Sequence, residues 1–105
     1  MEHELDTDRV RFEAKVKGLK PWDMRKDDRD YRVGDILYER ETVYTEEEML
    51  NEGMPLEYTG RYLYERIKFI LHDHGGPLDG YCVMNTEPIK AGDARALPLP
   101  GGRNA

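Results

Sequence analysis

Between Gly18 and Asp35 the chain sets lysine, arginine and aspartate among large side chains, in the order Gly18-Leu-Lys20-Pro-Trp22-Asp23-Met-Arg25-Lys-Asp-Asp28-Arg29-Asp-Tyr-Arg-Val-Gly34-Asp35. Residues 15–32 hold seven Lys or Arg against four Asp, a local +3 on a chain of −6, so everything outside that window sums to −9. A basic island on an acidic protein is the electrostatic footprint of an anionic partner. Lys20 follows a turn glycine, where it would meet a phosphate as a point charge or serve as a base if burial lowered its pKa. The plainer reading is a solvated surface lysine. Arg25 and Arg61 carry planar forks suited to a phosphate or a base edge. Arg29 sits between Asp28 and Asp30, an arrangement that satisfies itself as an ion-pair network, so Arg29 and Asp28 read as structural, as does the Gly34-Asp35 turn. Trp22, Tyr58 and Tyr81 offer faces on which a base would stack, against the alternative of barrel packing. His72, Asp73 and His74 lie in a glycine-rich loop without a cysteine partner and fall short of a metal site, and no cofactor is implied.

One domain with one modest core fits 105 residues that are 38% hydrophobic and 36% charged. The net charge of −6 argues against general coating of DNA while leaving room for a local pocket. No apolar run is long enough to span a bilayer, and Met-Glu-His-Glu-Leu lacks the basic start and apolar segment of a signal peptide. Cys82 is the single cysteine, which fits a reducing cytoplasm and a small buried side chain.

Several segments must position the basic stretch. His3-Glu-Leu5 reads as a first strand. Val10, Phe12, Ala14 and Val16 alternate with charged residues, the period of a half-buried strand. Phe12/Val16 and Val10/Ala14 are also i,i+4 pairs ahead of Gly18, a natural helix stop. Leu19 to Lys26 should be extended because Pro21 disfavours helix before it. Ile36 to Tyr44 reads as a strand, and Thr45-Glu-Glu-Glu48 as a capping box for one or two helical turns over 46–51. Residues 45–57 carry five glutamates and no Lys or Arg, a solvated segment or a surface for a basic protein partner. From Arg61 onward Leu63, Ile67, Phe69 and Leu71 are expected to share one strand face, with Glu65 as its blemish, and Tyr81 to Asn85 to close the sheet. The folded domain is expected to span 1–87, with residues 88–105, rich in Gly, Pro and Ala, as a disordered tail. Short strands, one or two small helices and frequent turns describe a mainly β α+β domain, a small mixed barrel.

His3-Glu-Leu5, Phe12-Glu-Ala14, Gly18-x-Lys20, Asp23-x-Arg25-Lys26, Asp28-Arg29-Asp30, Val33-Gly34-Asp35-Ile36-Leu37, Tyr58-Thr-Gly-Arg61 and Gly80-Tyr-x-Val-Met84 occur in an order that resembles the small ASCH-like proteins (activating signal cointegrator homology). These are a branch of the PUA-like barrels found in bacteria and their phages. The resemblance implies a helix over 8–17, which we take over the alternation, and a cleft beside Gly-x-Lys that binds RNA or a nucleotide-like anion, with His3 able to reach it. A related group resembles amidohydrolases that remove acyl groups from modified cytidine with a lysine, a threonine three residues later and a glutamate. Lys20 matches that lysine, whereas Asp23 holds the threonine position, and Glu39 and Glu65 are among the candidates for the third member. The expected function is binding of RNA or a nucleotide at a basic cleft. Catalysis by Lys20 and Asp23 on a modified nucleoside is the alternative, and a protein-interaction module the second alternative; no membrane association is expected.

Overall fold

A computed structural model describes residues 1–19 and 22–93. Its elements are β1 (Glu2–Asp8), α1 (Arg9–Val16), β2 (Trp22–Lys26), β3 (Ile36–Thr42), α2 (Glu46–Asn51), β4 (Tyr58–His72) and β5 (Tyr81–Asp93). The five strands form one sheet in the order β1-β3-β4-β5-β2. Only β1 and β3 run parallel; the other neighbours are antiparallel. The sheet curls into a half-barrel with β1 and β2 at its two free edges. Lys20 and Pro21, and the tail from residue 94, lie outside the described residues.

The first helix settles the competing periods at residues 10–17. Asp8 caps it, its side chain accepting from Arg11 N at 3.0 Å, and Gly18 follows with φ 72°, the left-handed conformation that ends a helix. Of the alternating apolar residues only Phe12 is buried, while Val10 and Val16 stand 65% and 47% exposed. The face turned inward carries Phe12 and Lys15, three residues apart.

The second helix follows its capping box. Glu48 N donates to Thr45 Oγ1 at 3.2 Å, and Thr45 N donates to Glu48 Oε1 at 2.8 Å. None of its residues is buried, so the cap must supply much of its local stability. Thr45→Ala is expected to lower domain stability by about 1 kcal/mol in urea denaturation, the usual cost of a lost cap.

Two strand expectations need correction. Phe69 and Leu71 do not join Leu63 and Ile67 on the inner face; they are 58% and 59% exposed. The β4–β5 register shifts between Ile67 and Phe69, and such a bulge reverses which side the following residues face, so Ile70 packs against the core instead. The sheet also runs beyond residue 87, because β5 pairs with β4 as far as Asp93, opposite Arg61.

Leu5, Tyr31, Leu37, Ile67, Cys82 and Met84 make the apolar core. Further along the same inner faces the residues turn polar. After Leu5 comes Thr7, after Leu37 come Glu39 and Glu41, before Ile67 lies Glu65, and after Met84 comes Thr86, all buried. One half of the interior is therefore hydrocarbon and the other half is charge.

Candidate functional site

The curl leaves β1 and β2 facing each other across a seam without strand pairing. Arginines from β2 and the loop after it cross the gap. Arg25 Nη1 donates to the Asp6 carbonyl at 3.0 Å and Arg29 Nη1 to the Glu4 carbonyl at 2.9 Å. Each satisfies an edge carbonyl that a neighbouring strand would otherwise take. At this seam lies a hollow of about 440 Å³ lined by Leu5, Arg11, Met24, Arg25, Lys26, Asp28, Arg29, Tyr31, Glu46 and Tyr81. Its four cationic side chains stand against two carboxylates, a balance of +2. Arg11 lies 3.5 Å from Asp8, and Arg25 is committed to buried carboxylates. Lys26 and Arg29 make no ion pair among the described residues.

Behind the seam, Arg25 belongs to a buried cluster. Lys15 Nζ donates to Asp23 Oδ2 at 2.9 Å, Glu39 Oε2 at 2.9 Å and Glu65 Oε1 at 2.7 Å. Arg25 Nε donates to Asp23 Oδ2 at 3.0 Å and its Nη2 to Thr7 Oγ1 at 2.9 Å, while Thr7 Oγ1 donates to Glu39 Oε1 at 2.7 Å. Helix α1 supplies the lysine and three strands supply the carboxylates, so the cluster ties helix to sheet. Burial alone would push the Lys15 ammonium toward neutrality, but Glu39, Asp23 and Glu65 outweigh it and hold the group charged. Burial likewise opposes ionisation of Asp23 and Glu39; Arg25 and Lys15 overcome it at Asp23, and the hydrogen bond from Glu65 together with Lys15 and Arg25 overcomes it at Glu39, lowering both pKa values. Glu65 goes the other way: burial, then the hydrogen bond and charge of Glu39, push its carboxyl up to about 8. Two cations thus face three carboxylates, of which Glu65 is the one whose surroundings favour the protonated form. Asp23 Oδ1 is buried without a hydrogen-bond partner among the described residues.

The residues singled out in the sequence are divided among several places. Arg25 and Tyr81 line the seam hollow, with Arg29 and Asp28. Asp23 is in the buried cluster. Trp22 stands on the outer face of β2, 48% exposed. Arg61 lies elsewhere, held by Glu41 at 2.8 Å and Glu13 at 2.9 Å. Tyr58 donates its hydroxyl to Asp6 at 2.7 Å and lies under the Arg40 guanidinium. His3 is buried, with Nε2 2.8 Å from Asp35 Oδ2, and Asp35 also accepts from Arg32 N at 3.1 Å beside Gly34, whose φ is 94°. Arg29 does not form the expected network with its neighbours: Asp30 pairs with Arg32, freeing Arg29 for the seam. Lys20 lies outside the described residues.

His72 and His74 stack at 5.6 Å, and His72 pairs with Asp27. Among the described residues no three His, Cys, Asp or Glu converge to hold a metal ion. In the acidic segment Glu48 is taken by its cap and Glu46 lines the hollow. No helix among the described residues is long and apolar enough to cross a membrane.

Sequence reasoning did not single out Lys15, Thr7, Arg11, Lys26, Met24 or Tyr31. The one available signal was Glu65, a carboxylate on an otherwise apolar face: a charge inside a sheet demands a counter-charge, and helix α1 delivers Lys15.

Fold and site together define a small mainly β α+β domain, a half-barrel whose open seam carries a basic hollow over a buried charge cluster. Residues 2–86 match the DUF3850 family, a domain of unknown function, and the chain belongs to that family. No curated protein matches it.

Proposed function

We propose that this protein binds RNA or a nucleotide-like anion at the seam between β1 and β2. The observation that carries the reading is the pair Lys26 and Arg29, which make no ion pair with a carboxylate among the described residues and border a hollow walled by Tyr81, Tyr31 and Met24. A cation already matched by a carboxylate must lose that partner before it takes a phosphate; Lys26 need shed only water, and Arg29, whose Nη1 donates to the Glu4 carbonyl, faces no carboxylate to displace. Tyr81, exposed at the rim while Tyr31 is held in the core, supplies the face a nucleobase requires. At about 440 Å³ the hollow is within the range of small-ligand sites. The sequence resemblance to ASCH-like proteins of the PUA-like superfamily supports the same ligand class, and the lone buried Cys82 suits a reducing cytoplasm. Lys26→Ala and Arg29→Ala are each expected to weaken uridine monophosphate binding about tenfold, measured by calorimetric titration, as loss of a charged hydrogen bond does. Affinity should also fall with added salt. Unchanged affinity in both variants would remove the seam as the site.

One observation favours a hydrolytic reading second. Asp23 presents a buried carboxylate oxygen without a partner among the described residues, in one cluster with the Lys15 ammonium and with Glu65, whose pKa is raised. Such a carboxylate can hold a water as general base while a protonated neighbour serves as acid. Release of acetate from acetylcytidine by the purified protein, lost in Asp23→Asn, would establish it; no release would end it.

A further inference from the structure

The outward side of β4, β5 and β2 is apolar where a solvent-facing sheet is ordinarily polar. Strand register places Phe69, Asn85 and Trp22 in one row across the three strands, and Leu71, Val83 and Met24 in the next. A third row pairs Tyr81 with Lys26. Phe69, Leu71, Met24 and Tyr81 are 58%, 59%, 42% and 39% exposed. The bulge in β4 creates this face, because without it Phe69 and Leu71 would point into the core.

The face is continuous with the seam. Met24, Lys26 and Tyr81 belong to it and also line the hollow. We infer that the outer face of β4, β5 and β2 is a stacking platform for a single RNA strand whose backbone enters the seam hollow. The inference rests on the proposed function and extends it from one nucleotide to a chain. Rings two strands apart are separated by about 10 Å and successive rows by about 7 Å, from ordinary sheet spacings. The platform thus has room for two or three bases beside the one in the hollow. Phe69 and Trp22 give planar surfaces at either end of a row, Asn85 puts an amide between them, and Lys26 stands where the face turns into the seam. Aromatic faces bind bases with little regard to sequence, but only bases freed from a duplex. The occupant is therefore a single strand.

Trp22 is the only tryptophan, so its fluorescence reports the platform directly. Hexauridylate and uridine monophosphate are titrated into the full chain at one salt concentration. The hexamer should quench Trp22 and bind at least about tenfold tighter than the monophosphate, the effect of one or more stacked bases. Phe69→Ala, a change at an exposed position, should bring hexamer affinity down about tenfold, toward that of the monophosphate. A hexamer that binds no tighter than the monophosphate, or is indifferent to Phe69→Ala, overturns the platform and leaves the seam reading standing. Failure of both ligands to bind overturns both. Self-association that Phe69→Ala abolishes, without any effect on the hexamer, would show that the face joins two copies and overturn the platform too.

Discussion

Lys15→Met is expected to destabilise the domain by about 3–5 kcal/mol, the usual cost of removing one partner from a buried ion pair. The side chain is 1% exposed and its ammonium donates to three carboxylates, and methionine fills the space without supplying a charge. Asp23 and Glu39 would retain Arg25 as their one cation among the described residues, and Glu65 would lose its sole charged donor there. A small domain has about 5–15 kcal/mol in total, so the variant should unfold at a much lower urea concentration. Adding Glu65→Leu should restore part of the loss, since an apolar pair can replace a buried ionic one of similar volume. A loss below about 1 kcal/mol in the single variant would show that water reaches the cluster and screens it.

Stability should fall as pH rises from mildly acid toward 8, with Glu65 as the source. Its carboxyl titrates at 4.5 when unfolded and near 8 when folded. Between those values the folded chain keeps a proton that the unfolded chain releases. The contribution is therefore complete below 4.5, declines as pH rises between the two values, and is gone once pH passes 8. Asp23 and Glu39 act in the opposite sense. Their folded pKa values are depressed, so their contribution is present above the unfolded values and is lost as pH falls through the folded ones. Maximum stability should accordingly lie in the mildly acid range. Glu65→Gln keeps an oxygen for Lys15 to donate to and cannot ionise, so urea midpoints for this variant should be nearly flat between pH 5 and 8 and exceed the native protein's at pH 8. A native protein whose stability is itself flat across that interval would show that Glu65 is ionised throughout.

The two results bear on the seam because Arg25 belongs to both places. Its guanidinium crosses to the Asp6 carbonyl on one side and holds Asp23 and Glu39 on the other. Disturbing the buried charges therefore alters the wall of the hollow.

Local rules were enough for the elements whose signals are local. Thr45 and Glu48 sit three residues apart, and α2 starts where their reciprocal bonds require. Gly18 and Gly34 mark turns because their backbones adopt positive φ. The eight residues of α1 were harder: alternation favoured a strand, only the family resemblance turned the reading to a helix, and the helix forms with Asp8 as its cap. Face assignments along β4 held only to Ile67, since a bulge depends on what the partner strand does and leaves no mark in one strand's own pattern.

The amino-acid sequence alone determined that the chain would be a mainly β domain with a short capped helix, one small core and a basic stretch, because composition, turn residues and caps act over a few neighbours. Which charges meet was decided by tertiary structure. Arg61 and Arg25 both look like free forks in the sequence, yet one is held by Glu41 and Glu13 and the other reaches into the core. Lys15, Asp23, Glu39 and Glu65 are spread over fifty residues and converge only once the sheet curls. Coulomb attraction at 3 Å is set by distance in space, and separation along the chain carries almost none of that information.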